Sequence, residues 1–228
     1  MRASAREWIT VQTLPFFSIL TAMDTSIDWY FDFVSPYSYI CFNRLHELPG
    51  AKITYKPVLF AGLLERWGQK GPAEVPAKRK WTYRWCTWWA RDLGITFRFP
   101  GQHPFNPLPY LRLALAAGPS ERVVRRIFNV LWTTGDEALD ESIVRTLCKE
   151  FGVDEAKLAE AKEMLRTATS DAAGRGVFGV PSFVIDGEVF WGADALDFLK
   201  AFLKDEAVLR NDEMRRVDNL PVGAVRKS

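Results

Sequence analysis

The sequence holds only three cysteines in 228 residues, Cys41, Cys86 and Cys148, and no two form a C-x-x-C pair. Their odd number and wide spacing argue against a disulfide framework, a zinc site and a dithiol redox centre. Histidine is scarcer still, with His46 and His103 the whole supply, too few for a histidine-rich metal site. No apolar run reaches the roughly 18 residues needed to span a membrane. An excess of one charge is also missing. Lys and Arg number 30 against 28 Asp and Glu, a net charge of +2 that gives no field for nucleic acid or anionic membranes.

What remains is globular. Hydrophobic residues make up 48% and charged residues 25%, while 14% aromatics with nine Trp are far too many for a solvated coil. At about 150 residues per domain the length suggests one domain or one and a half. A folded cytoplasmic protein is expected. Arg2 and Arg6 precede the patchily apolar stretch Val11 to Met23, but Glu7, Thr10, Gln12, Thr13 and Pro15 break it. A signal peptide needs a continuous apolar h-region, so residues 1–25 read as a loosely structured extension, with Met23 an alternative start.

Ile27 to Val34 is short, β-branched and aromatic, and reads as a strand buried on both faces. A helix is expected from Tyr37 to Leu48, then a second strand from Lys52 to Pro57, so the chain opens β-α-β, which favours a parallel pair. Helical patterns dominate from about 60 to 173: Ala77 to Leu93, Asn106 to Ala117, Ser120 to Thr133, Glu141 to Phe151 and Asp154 to Ala173. Thr96 to Phe99 is at most a short extended piece. Strands return at Pro181 to Ile185 and Glu188 to Trp191, joined by Asp186-Gly187, a tight-hairpin signature. Asp194 to Leu203 closes the body as an amphipathic helix, and residues 206–228 form a charged tail that frays or wraps the surface. The predicted fold is therefore α/β: a thioredoxin-like βαβ…ββα sheet from 26–58 and 177–205, with a large all-helical insertion.

Three short motifs could carry chemistry. Ser35-Pro36-Tyr37-Ser38 stands where a strand turns into a helix, and its plainest role is Ser as N-cap with Pro at the first helical position. A helix start also suits an anion, and in thioredoxin folds the reactive sulfur sits here. Ser35 and Ser38 occupy both cysteine positions of a dithiol enzyme, so only a sulfur supplied by another molecule could be stabilised. Gly179-Val180-Pro181-Ser182 is a loop before a strand; a cis Val180-Pro181 bond there would leave the Val180 backbone free to pair with an extended peptide. Trp191-Gly192-Ala193-Asp194 offers a helix-start carboxylate for an ammonium group. Trp81, Trp85, Trp88 and Trp89 are expected to be buried, against the helical block or a dimer partner. Lys78-Arg79-Lys80 is a solvated run unless it meets a carboxylate. His103 reads as a loop residue without an acidic neighbour.

Together these motifs resemble the 2-hydroxychromene-2-carboxylate isomerase family, kin of kappa-class glutathione transferases and of DsbA-type thioredoxin folds. The matching stretches are Tyr30 to Tyr39, Gly71 to Arg79, His103 to Pro107, Val177 to Ser182 and Trp191 to Asp194, within about residues 26–205. The resemblance implies a glutathione-dependent isomerase of an aromatic carboxylate, in which Ser35 hydrogen-bonds the glutathione sulfur. Val180 would pair with the tripeptide backbone, and Trp191, Gly192, Ala193 and Asp194 would hold its γ-glutamyl end. Leu63, Ala73, Glu74 and Asn106 fall at substrate-binding positions. A free thiol of pKa about 8.5 is about 3% thiolate at pH 7, and a charge-assisted hydrogen bond of about 1.5–3 kcal/mol lowers that pKa by about one to two units. The thiolate would add to a conjugated carbon, make a fixed double bond rotatable, and leave by elimination. Glu74 departs from the pattern, because some relatives carry Asn there, and a carboxylate would repel an anionic acid. A transferase that keeps the conjugate and a non-catalytic peptide-binding module are the alternatives.

Overall fold

A computed structural model describes residues 25–48 and 50–224; the expected extension lies outside these, apart from Thr25. The first strand, β1 (Thr25–Phe31), pairs in parallel with β2 (Ala51–Pro57), in the register Ile27 to Ile53 and Trp29 to Tyr55. Between them lies α1 (Pro36–Phe42). The hairpin β3 (Ser182–Ile185) and β4 (Glu188–Trp191) joins on the other side of β1, giving the order β2-β1-β3-β4. This is the expected thioredoxin-like sheet.

Side chains alternate across β1 as its pleat requires. Ile27, Trp29 and Phe31 enter the main core with Phe183 and Ile185, whereas Tyr30 joins Val58, Leu63, Val180 and Val184 on the opposite face. The Trp29 and Phe31 rings stack at 4.5 Å. Both faces of the strand are therefore buried, one by Leu63 and Ala172 of the intervening block and the other by Phe42 of α1 together with Leu111 and Phe128 of that block.

That block holds α2 (Phe60–Arg66), α3 (Pro76–Asp92), α4 (Leu108–Ala116), α5 (Glu121–Thr133), α6 (Glu141–Phe151) and α7 (Glu155–Gly174). After the sheet come α8 (Leu196–Lys204) and α9 (Asp212–Asp218). Three expectations need correction. The first helix stops at Phe42, and Leu45–Glu47 continues as a 3-10 turn. Leu45 and Leu48 stay buried at helical spacing, so the apolar period outlasts the helix. Residues 96–99, expected as at most a short extended piece, form no strand, since Tyr39 Oη and Trp132 C=O take up the Thr96 and Arg98 backbone groups. The tail is not simply frayed, because α9 is capped by Asn211 and held by Asp212–Arg215 and Glu213–Arg216 pairs. Lastly, α3 turns Thr82, Cys86 and Ala90 inward and leaves Trp81 65% and Trp88 45% exposed. Small residues let α3 approach Ile40 closely; Trp85 and Trp89 are half-buried against that cluster, and Trp81 and Trp88 pack outward on Trp85.

Candidate active site

The residues of all three motifs lie at one end of the sheet. β1 ends there, runs through Asp32 to Ser35, and enters α1. The antiparallel register pairs Tyr30 with Ser182, so the end of β1 that leads to Ser35 lies beside the start of β3, which the Val180–Pro181 loop precedes. Gly192 N–H donates to Pro181 C=O at 2.9 Å, joining the Trp191–Asp194 turn to the same loop. Arg44 reaches Ala193 C=O at 3.2 Å, and the Asp194 charge is felt at Tyr37 on α1. Nothing local in the sequence assembles these groups; the strand order does.

Ser35 is 6% exposed and has extended backbone as the N-cap of α1. Its Oγ accepts Ser38 N–H at 3.1 Å. A serine hydroxyl has one proton to donate besides its lone pairs, and this one has no acceptor among the described residues. Capping and thiolate stabilisation are therefore compatible in one side chain. Ser38 Oγ, fully buried beneath it, has no hydrogen-bond partner among the described residues. An orphaned buried hydroxyl is costly and uncommon. Because α1 spans seven residues, its dipole is short, and the hydroxyl is the principal polar feature for an anion.

The Val180–Pro181 bond is cis, as expected. No backbone partner takes the Val180 amide or carbonyl among the described residues. Trp191 is 55% exposed and lies against this loop, with its ring 5.1 Å from that of Phe178. A Cβ on Gly179 would come within 2.6 Å of the indole nitrogen, so glycine is what admits the contact. Free backbone at Val180, an unspent Ser35 proton and a buried orphan hydroxyl fit an extended thiol peptide such as glutathione.

The four substrate positions are less uniform. Ala73 is half-buried in a 3-10 turn, Pro72–Glu74. Glu74 is exposed and turned back on its own segment, where Oε1 accepts Gly71 N–H at 2.6 Å. Asn106 is exposed and caps α4 by accepting Leu108 N–H at 3.1 Å. Leu63 is fully buried against Val180, so it can act on a ligand only through the neighbours it supports. Lys78, Arg79 and Lys80 are exposed on the first turn of α3.

The sequence assigns no role to two residues at this end of the sheet: Asp32, and His103, which reads there as a loop residue. Asp32 is fully buried; its Oδ1 accepts Val34 N–H at 3.0 Å and its Oδ2 accepts Phe60 N–H at 2.8 Å. Burial pushes its carboxyl up to about 7, against the pull of those backbone donors. The signal was available, since an aspartate in an otherwise apolar strand end needs a reason to be there. His103 reaches Val34 C=O at 2.8 Å, and burial lowers its pKa. The chain's own thiols are unsuited to catalysis here. Burial raises both Cys41 and Cys86, the latter to about 12, and keeps them protonated near neutrality.

Comparisons with known proteins agree with this architecture. Residues 26–204 match the family model of the DSBA-like thioredoxin domain. A 2-hydroxychromene-2-carboxylate isomerase from Sphingobium xenophagum is 31% identical over 195 residues, covering 80% of this chain and all of that protein. Kappa-class relatives include glutathione S-transferase kappa 2 of Caenorhabditis elegans, 27% identical over 206 residues, with 78% of this chain and 92% of that one covered. A solved 2-hydroxychromene-2-carboxylate isomerase structure superposes with a TM-score of 0.71 at 27% identity, over 83% of this chain and 98% of its own. On these grounds the chain belongs to the 2-hydroxychromene-2-carboxylate isomerase family, built on a DSBA-like thioredoxin domain and related to kappa-class glutathione transferases.

Proposed function

We propose that this protein is a glutathione-dependent isomerase of the 2-hydroxychromene-2-carboxylate isomerase type, acting in the cytoplasm on an aromatic-ring degradation intermediate. The observation that carries this reading is the Ser35 hydroxyl. It takes the Ser38 amide as a cap and keeps its own proton to give, at the place where the free Val180 backbone and the Trp191–Asp194 turn converge. The isomerase names of the relatives support the reaction class, and the kappa-class names support the thiol.

When bound, glutathione supplies a thiol nucleophile that the chain itself lacks. Ser35 would donate a hydrogen bond to the sulfur and so favour its anionic form. Val180 would give its amide and carbonyl to the peptide backbone, and Asp194 would take the γ-glutamyl ammonium, beside Trp191, Gly192 and Ala193. Ala73, Glu74 and Asn106 would border the aromatic substrate, with Leu63 supporting them from below. Glu74 already serves its own turn, so a substrate carboxylate would be placed away from it or would displace it.

Calorimetric titration with glutathione, ultraviolet titration of the bound thiol, and an assay on a hydroxychromene carboxylate test the reading in that order. Binding with a thiol pKa about one to two units below 8.5 is expected, together with isomer release. Failure to bind would leave a peptide-binding module at the Val180 edge. A stable conjugate in place of the isomer would favour the transferase reading, to which the kappa-class relatives also point.

A further inference from the structure

The two peptide units leading into Ser35 have every polar group occupied. Trp132 Nε1–H donates to Phe33 C=O at 2.9 Å, and Asp32 Oδ1 accepts Val34 N–H at 3.0 Å. His103 Nε2 lies 2.8 Å from Val34 C=O, and Ser35 N–H donates to Asp32 C=O at 3.1 Å. Val34 C=O and Ser35 N–H belong to one peptide plane. Whatever grips the Val34 carbonyl therefore sets the direction in which the Ser35 Cα–Cβ bond leaves the backbone.

His103 is gripped in turn. Tyr83 Oη, from α3, lies 2.8 Å from His103 Nδ1 and donates to the His103 C=O at 2.6 Å. Around the imidazole stand the rings of Tyr83, Phe99, Phe105 and Trp132, at centroid distances of 5.2, 5.4, 6.2 and 5.7 Å. A carbonyl can only accept, so the proton of a neutral ring sits on Nε2. Nδ1 then presents a lone pair to the Tyr83 hydroxyl, whose one proton is shared between that lone pair and the His103 C=O. The titratable group facing the ring is Tyr83, with the Arg79 charge felt beyond it, while Asp32 reaches the same Val34 residue from the amide side.

We propose that His103 is a positioning residue of the Ser35 site: as the neutral Nε2–H tautomer, oriented by Tyr83, it holds the 34–35 peptide and thereby aims the serine hydroxyl. The inference rests on the role of Ser35 proposed above and goes beyond it, because it assigns the aim of that hydroxyl to a side chain 69 residues along the chain from Val34. A misaimed donor would still cap α1 but would stabilise a bound sulfur anion poorly.

The test compares His103→Phe, His103→Gln and Tyr83→Phe. The phenyl ring keeps the aromatic packing and loses the donor; the Gln amide can restore the donor. In His103→Phe, glutathione affinity should stay within about threefold of wild type, while the pKa of the bound thiol rises by about one unit and kcat falls roughly tenfold. His103→Gln should recover most of both. Nitrogen-15 spectra of the ligand-free protein give a readout independent of activity. They should show protonated Nε2 and bare Nδ1 at neutral pH, with Tyr83→Phe mixing the tautomers and His103→Phe shifting the Ser35 amide signal. An Nδ1–H tautomer or an imidazolium in wild type would overturn the proposal. So would a folded His103→Phe with unchanged thiol pKa and kcat. If the phenyl variant does not fold, Tyr83→Phe and the wild-type tautomer decide. A wild-type protein that leaves the thiol pKa unshifted refutes the role of Ser35, and the tautomer and Ser35 amide shifts then judge the clamp by themselves.

Discussion

At one end of the sheet β3 passes into β4 through Asp186 and Gly187, both exposed, with φ of 49° and 87°. At the other end β1 passes into α1 through Asp32, Phe33 and Val34, of which the first two are fully buried. The hairpin turn is made by its own two residues, which tolerate positive φ and match the twist of the flanking strands. The Ser35 turn has ordinary residues and is held from outside by Trp132 and His103, while its own Asp32 carboxylate takes the Val34 amide. Exposed turns can satisfy their backbone with water. Buried ones cannot, so their partners must come from whatever packs against them. A lesion in the first turn should stay local, whereas one in the second should reach both stability and chemistry.

The largest expected effect is on the buried carboxylate. Asp32 is raised to about 7 by burial, so folding favours its protonated form. Stability from this group is greatest below its ordinary value near 3.8 and is lost as pH rises toward about 7. Between pH 5 and 8 the loss should be about 2–3 kcal/mol. Asp32→Asn should abolish that slope, at the cost of one of the two backbone bonds. Urea unfolding of both proteins at pH 5, 6, 7 and 8 measures it, and parallel wild-type and variant curves would show that Asp32 does not titrate in this range. Glu47, lowered to about 2 chiefly by the Arg44 hydrogen bond, runs the other way: its stabilisation is present above 4.5 and fades as pH falls toward 2. It does not mask the Asp32 window.

Next in size is Ser35→Ala. Loss of the cap should cost about 0.5–2 kcal/mol in thermal unfolding. Turnover at pH 7 should fall at least about tenfold, while glutathione affinity changes little, because most contacts come from Val180 and the Trp191–Asp194 turn. Equal turnover in the folded variant would reduce Ser35 to a capping residue. Gly187→Ala at the opposite end should cost about 1 kcal/mol through its positive φ, with catalytic constants unchanged. Any drop in kcat there would break the contrast between the two turns. The smallest change is expected from Trp81→Ala, within about 0.5 kcal/mol by denaturant unfolding, since the indole is 65% exposed.

The same contrast explains which elements could be read in advance. Glu188–Trp191 and Glu141–Phe151 have the ends that alternation, the Asp-Gly turn, the Asp140 cap and the left-handed Gly152 prescribe. The helix Phe60–Arg66 escaped notice because Gly62 interrupts its sequence pattern; in the fold that glycine lies against Thr169, where a Cβ would sit 3.1 Å from the methyl. Helix α9 had legible signals, an Asn cap with acids first and bases last, that its charge made easy to read as a tail. In the site, Ser35, Val180 and Trp191–Asp194 were visible as motifs. Asp32 and His103 were legible as residues but not as parts of the site, because the backbone groups they hold, Phe60 N–H and Val34 C=O, lie far from them in sequence.

By itself the chain determined the period of each strand and helix, the hairpin between β3 and β4, and the absence of a dithiol where Ser35 and Ser38 stand. Those properties depend on neighbours within a few residues, and short-range sterics and hydrogen bonds suffice for them. Only the tertiary structure decided that Tyr30 and Trp29 serve different cores, that α3 buries its small residues and exposes Trp81 and Trp88, and that Val34 is held by an imidazole from another segment. Each of these is a choice of partner for a buried surface or a buried carbonyl, and that partner exists only once distant parts of the chain have packed together.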